Sequence, residues 1–197
     1  MTVTPTDEQD RADMARLTAG HDAALNDLMA RHGERLFHYL IRQLQDETDA
    51  ADLAQETYVR IYQHRAKFDA TQKFYTWLYT IATNLARDRL RWRTRHPQVS
   101  IDAENPATGN DFSETLPEPR ATPSESLQAE ERAELVRRAV AALPDNLRQP
   151  IILAEFEDRS CAEIAAILDC TVKAVETRLA RARQHLRDRL GKLLVTM

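Results

Sequence analysis

A chain of 197 residues, 43% hydrophobic and 29% charged, can build one domain or two small ones around real cores. A net charge of −4 does not suit a protein that coats nucleic acid by bulk attraction. No apolar run approaches the ~18 residues that a membrane span needs. Four glycines and few β-branched runs point to a mostly helical chain. The N-terminus, MTVTPTDEQDRADM, is acidic and lacks the basic-then-apolar form of a signal peptide, so a cytoplasmic protein is expected. The charge is uneven. Basic residues concentrate in 87–95 and 173–192, while 97–131 is acidic. Local basic patches bind phosphate whatever the total charge.

Residues 7–44 read as two helices broken near Gly20. In the second, Leu25, Leu28, Met29, Leu36, Phe37, Leu40, Ile41 and Leu44 form a broad apolar face. His32 and His38 fall in this helix and are expected at its surface or boundary. No Glu-x-x-His or His-Glu-x-x-His spacing occurs in the chain, so no metal or other cofactor is expected.

Residues 46–68 form the next helix, with acids at its start that complement the dipole. Leu53, Ala54, Thr57, Tyr58, Ile61 and Tyr62 make one face. Asp52, Gln55, Glu56, Val59, Arg60 and Gln63 make the other, polar but with an apolar Val59 in its middle. That face reads either as solvated surface or as a protein-docking surface. Catalytic use of Asp52 and Glu56 would need a pocket and shifted pKa values, which a sequence does not show.

A short link, 68–73, leads to FYTWLYTIATNLARDRLRWRTR, 74–95, one helix without Gly or Pro. Phe74, Trp77, Leu78, Ile81, Leu85 and Trp92 give it an apolar stripe. Thr80, Asn84, Arg87, Arg91 and Arg95 line the other side. Such a basic stripe holds phosphates, while aromatics and Asn receive unstacked bases. A core helix with a solvated charged face has the same pattern. Pro97 stops the helix.

From 97 to about 127 the chain is Pro-, acid- and Ser/Thr-rich, and reads as a linker with Ile101, Phe112 and Leu116 as its large apolar residues. Helix resumes from Ser126 to Leu143, and Pro144 suits the first turn of the following one. Pro150 removes a backbone bond and should bend that segment. Ser160 with Glu163 is a capping box. Ile164, Ala165, Ile167 and Leu168 form the buried side of a short helix, Asp169-Cys170-Thr171 a turn, and Val172, Val175, Leu179, Ala182 and Leu186 the buried stripe of the last helix. Lys173, Glu176, Thr177, Ala180, Arg181 and Gln184 face outward. Short helix, tight turn and basic second helix match a helix-turn-helix, whose second helix enters the major groove. Arg178, Arg181 and Arg183 can reach phosphates or a guanine edge. A plain helical hairpin is the other reading. Cys161 and Cys170, the only cysteines, read as small packing residues rather than a disulfide, with a redox role as the second reading.

Together these segments resemble the bacterial RNA polymerase sigma factors of the extracytoplasmic-function (ECF) group. DLAQETYVRIY, 52–62, is similar to the core-polymerase-binding helix, and KFYTWLYTIATNLARDRLR, 73–91, to the promoter-melting helix. LPDNLRQPIIL and EIAAILDCTVKAVETRLARAR are similar to the C-terminal domain. The resemblance implies an all-α fold of two helical domains: a four-helix sigma-2-like bundle over 1–96, an acidic linker over 97–127 and a sigma-4-like helix-turn-helix domain over 128–197. It implies a non-enzymatic subunit that brings core polymerase to stress- or signal-responsive promoters. Asp52, Gln55, Glu56, Val59 and Arg60 would dock on the clamp of the largest subunit. Trp77, Asn84, Arg87, Asp88, Arg91 and Arg95 would hold the melted −10 element. Lys173, Glu176, Thr177, Arg178, Ala180, Arg181 and Arg183 would read the −35 duplex. The linker would thread toward the active-site cleft, and the flap of the second-largest subunit would be a further contact. An anti-sigma protein, often membrane-bound in relatives, is the implied inhibitor. Glu176 departs from the basic residue usual there, so the −35 sequence does not transfer. A stand-alone helix-turn-helix regulator and a helical-bundle enzyme are the competing readings; duplex binding without polymerase and a bound metal would mark them.

Overall fold

The computed structural model describes residues 5–96 and 123–195, with side chains described from 6 to 96 and from 131 to 191. The expected linker lies largely outside the described residues. Eight α-helices are described: α1 Pro5–Thr18, α2 Ala23–Leu44, α3 Glu47–His64, α4 Phe74–Arg95, α5 Pro123–Ala141, α6 Asp145–Glu155, α7 Cys161–Leu168 and α8 Val172–Val195. A 3-10 turn, Arg65–Lys67, follows α3, and no strand occurs among the described residues. The fold is all-α.

Local chemistry sets the breaks. Gly20 takes φ 93° between α1 and α2, a conformation that a Cβ disfavours. Gln45 closes α2 in the left-handed region, its N–H donating to the Ile41 carbonyl at 2.8 Å. Asp46 at once caps α3 by accepting the Asp49 N–H at 2.8 Å. So short a connection makes α2 and α3 antiparallel neighbours. Pro144 sits just before α6 rather than in its first turn. Helix α6 runs on through a buried Pro150 as one element. Arg148 donates to the carbonyls of Ala141 (2.9 Å) and Leu143 (3.4 Å), satisfying acceptors at the C-terminal end of α5.

One continuous cluster of apolar side chains fills the interior. Leu28, Leu36, Tyr39, Leu40, Ile61, Phe74, Leu78 and Tyr79 are buried among α1–α4. Ile151, Ile152, Ile164, Ile167, Val175, Leu179 and Ala182 are buried among α6–α8. These are the faces that the 3.6-residue spacing picks out. Buried Tyr39 and Thr83 satisfy each other's hydroxyls at 2.7 Å.

Further expectations are corrected. His32 is buried, not superficial: its Nε2 lies 2.9 Å from the Asp10 carboxylate. Asp10 also accepts from Arg31, and Arg31 donates to Asp13 at 2.8 Å, so α1 is held to α2 by a charged seam. Trp92 leaves the apolar stripe and is 48% exposed, because the last turns of α4 run beyond the core. Val172, at the start of α8, is likewise 42% exposed.

Helix α7 begins with the full capping box. The Ser160 Oγ accepts the Glu163 N–H at 3.3 Å, and a Glu163 oxygen accepts the Ser160 N–H at 3.1 Å. Ser160→Ala should therefore cost about 0.5–2 kcal/mol of stability, read as a lowered urea midpoint of the full chain. An unchanged midpoint would deny the box a stabilising role.

Candidate nucleic-acid interface

Helix α4 carries alternating arginines with two different uses. Arg89 pairs with Asp49, and Arg93 with Asp46 (2.8 Å) and Asp49, while Arg93 also donates to the Leu44 carbonyl at 3.0 Å. These two fasten α4 to the start of α3. Asn84, Asp88, Arg91 and Arg95 are exposed. Arg91 lies 3.5 Å from Asp88 one turn back, and Trp92 stacks on His96 with ring centroids 4.9 Å apart. Trp77 is half-buried in an aromatic cluster, 5.3 Å from the Phe68 ring and 6.4 Å from Phe74. Phe68 supports Trp77 from outside the helix, and no periodic signal in the sequence announces it. Arg87 is occupied: its Nε donates to Gln149 of α6 at 2.9 Å.

On α3, Asp52, Gln55 and Val59 are exposed. Val59 is 45% exposed within this polar face. Glu56 accepts from Arg60 Nε at 2.8 Å, an i,i+4 pair on the surface. The face is an apolar spot rimmed by charge.

Asp169, with φ 50°, turns α7 into α8, and the Thr171 hydroxyl accepts the Ala174 N–H at 3.2 Å. Lys173, Glu176, Thr177, Ala180, Arg181 and Arg183 are then exposed along one side of α8. Arg183 pairs with Glu155 at 2.8 Å, and Arg178 is half-buried with Nη1 3.6 Å from the Cys170 sulfur. Cys161 and Cys170 are both free thiols of intermediate burial. An exposed helix with small and basic residues in its first turns, braced at a set angle by a second helix, suits a major groove.

The two sets of helices meet. Helix α7 packs on α4, and α6 on α2. Glu157, between α6 and α7, buries its carboxylate and accepts the Tyr79 hydroxyl at 2.9 Å, with Arg35 Nε 3.7 Å away. Burial pushes the Glu157 carboxyl above its ordinary range, opposed by that hydrogen bond and by Arg35, Arg42 and Arg159. Lys73 Nζ donates to Glu163 at 3.0 Å. Arg42 lies 4.5 Å over the Phe156 ring and Arg159 3.8 Å over Tyr75.

Comparison with known proteins bears on both halves. The family model for sigma-70 region 2 matches residues 28–96, and that for sigma-70 region 4 matches 133–186. The ECF RNA polymerase sigma-E factor of Escherichia coli K12 is 32% identical over 189 residues, covering 94% of this chain and 96% of that protein. The chain belongs to the ECF RNA polymerase sigma factors. The RNA polymerase sigma-H factor of Pseudomonas aeruginosa is 31% identical over 189 residues, covering 96% of this chain and 97% of that protein. Among solved structures, CnrH in complex with the cytosolic domain of CnrY matches with a TM-score of 0.68 and 28% identity over 93% of this chain and 98% of that one. The sigma factor RpoE of Bartonella quintana, solved with the anti-sigma factor NepR, shares the fold at a TM-score of 0.64 and 22% identity, over 84% of this chain and 96% of that one. As an ECF sigma factor, the protein binds core RNA polymerase, directs it to promoters through −10 and −35 elements, and promotes melting.

Proposed function

We propose a division of this activity among three surfaces. Asp52, Gln55, Glu56, Val59 and Arg60 of α3 dock on the clamp of the largest polymerase subunit, with Val59 as the apolar centre. Trp77, Asn84, Arg87, Asp88, Arg91 and Arg95 of α4 hold the melted −10 strand, where Asn84 offers amide hydrogen bonds and the arginines meet phosphates. Lys173, Glu176, Thr177, Arg178, Ala180, Arg181 and Arg183 of α8 read the −35 duplex. Residues 1–96 and 128–197 form the two working domains, and 97–127, whose last five residues already belong to α5, connect them. The observation that carries this reading is the use of the arginines on α4: Arg89 and Arg93 are tied to α3, while Arg91 and Arg95 point away from it, exposed.

The protein acts as a non-catalytic subunit in the cytoplasm, and an anti-sigma protein restrains it, as NepR is found with its sigma factor. No described helix is long and apolar enough to cross a membrane. Run-off transcription tests the assignment. Core polymerase with this protein should give discrete start sites on fragments of its own genome, and Asn84→Ala should reduce open complexes on duplex promoters and on promoters with a pre-melted −10 bubble alike. Loss on the duplex alone would make Asn84 a melting rather than a strand-holding residue, and no loss on either would remove Asn84 from the site.

A further inference from the structure

We propose that Trp92 and His96, at the exposed end of α4, form a stacking platform for an unpaired base of the opened promoter strand, a contact beyond the −10 residues assigned above. It rests on that assignment of α4 to the strand. Trp92 is 48% exposed even with its ring against His96, the centroids 4.9 Å apart and the planes 20° from parallel. The pair is tied through the backbone. The His96 N–H donates to the Trp92 carbonyl at 2.9 Å, and its Nδ1 lies 3.1 Å from the same oxygen. The large ring is thus oriented without being buried. The other exposed large apolar side chains among the described residues, Met29, Val59, Val136 and Val172, have no ring to offer.

Charge names the occupant. Around the helix, Trp92 stands about 60° from the line through Trp77, Asn84, Asp88 and Arg95. Arg91 and Arg95 flank it and are exposed. The Arg91–Asp88 pair is 3.5 Å long with side chains 64% and 69% exposed, so a phosphate displaces it at little cost. On the far side of Trp92, Arg89 and Arg93 offset Asp46 and Asp49, the carboxylates that would otherwise repel a strand. Guanidiniums beside an open indole suit phosphates joined to flat bases. A protein partner covering the ring would have to desolvate Arg91 and Arg95 with it, which is costly without matched carboxylates. A paired base has both faces covered by its neighbours in the duplex, so the base on Trp92 is an unpaired one.

Spacing puts that base in the same opened segment. Asn84 and Trp92 are about 12 Å apart along α4. That is the length of roughly three to four stacked nucleotides at about 3.4 Å each. Trp77, 5.3 Å from Phe68, stands about 22 Å from Trp92 along the axis, so the polar face of α4 has a ring at each end. Stacking on a ring tolerates any base, so the platform holds the strand and leaves base choice to other residues.

The test uses holoenzyme assembled from core polymerase and the full chain, on promoters with a pre-melted −10 bubble. Trp92→Ala should weaken filter binding to the intact bubble about 5- to 150-fold. Trp92→Phe, which keeps a ring, should recover most of the loss, and Trp92→Leu should not. A series of bubbles, each lacking one base but keeping its backbone, locates the contact. On one of them the parent should weaken by a similar factor and Trp92→Ala should add nothing, because ring and base are two halves of one interaction. Core-polymerase affinity and the urea midpoint of the free chain should not move, since Trp92 lies outside the interior. Parent-like binding by Trp92→Ala, an equal further loss on every abasic bubble, or a fall in core-polymerase affinity that accounts for the loss would each overturn the platform. Asn84→Ala on the same intact bubble separates the two levels. Loss with Asn84→Ala but none with Trp92→Ala sinks the platform alone, and loss with neither sinks the assignment of α4 to the strand as well.

Discussion

Asp52→Ala/Glu56→Ala is expected to remove about 2–5 kcal/mol of affinity for core RNA polymerase, the usual loss when charge pairs buried at an interface are cut. Free-protein stability should barely move. Asp52 is exposed, and Glu56 loses only its surface pair with Arg60, a type worth about 0.3–0.5 kcal/mol. The carboxylates flank Val59, whose exposed side chain can be desolvated only by a partner. An apolar spot inside a charged rim favours docking over simple solvation, because the rim orients and the centre excludes water. Fluorescence-anisotropy titration with core polymerase measures the change, and urea unfolding checks the fold. Unchanged affinity would remove α3 from the docking surface. Val59→Asp supplies an independent reading, since it leaves both carboxylates in place and adds a buried charge at the centre.

Arg181→Ala is expected to weaken binding to the −35 element by about 1–3 kcal/mol and to relax preference at a single base pair. Arg181 is exposed on α8 beyond the Thr171 cap, on the same side as Lys173 and Thr177. A bidentate guanidinium on guanine is the contact such a position favours. Uniform loss on every sequence, with a salt slope reduced by about one, would make Arg181 a phosphate contact. Glu176 gives the control. It is exposed beside Thr177 and can accept from a cytosine amino group, so Glu176→Gln should alter which base is preferred more than total affinity.

The local features of this fold were legible because their signals are local. Ser160 and Glu163 are three residues apart, so spacing alone exposed that cap. The buried sides of α7 and most of α8 followed from their periodicity. What stayed hidden depends on partners far along the chain. His32 is buried because Asp10, twenty-two positions away, accepts from it. Trp92 and Val172 keep the apolar spacing, but their helix ends project past the core. The distinction between Arg89 and Arg91 rests on where Asp49 lies in three dimensions. The contact of Glu157 with Tyr79 joins residues 78 positions apart, and no local pattern in the sequence marks it. A family likeness suggests roles for α3, α4 and α8, but gives no view of how the two units rest against each other.

Both tryptophans of this protein, Trp77 and Trp92, stand on α4. One is packed against Phe68 and the other is open to solvent beside His96. Ultraviolet emission excited at the indole edge is therefore blind to the C-terminal half and reports α4 alone. Quenchers dissolved in the buffer should reach Trp92 and spare Trp77, and stacked bases should quench Trp92 in turn. The protein thus carries an optical probe on the helix proposed to hold the opened DNA, without any added dye.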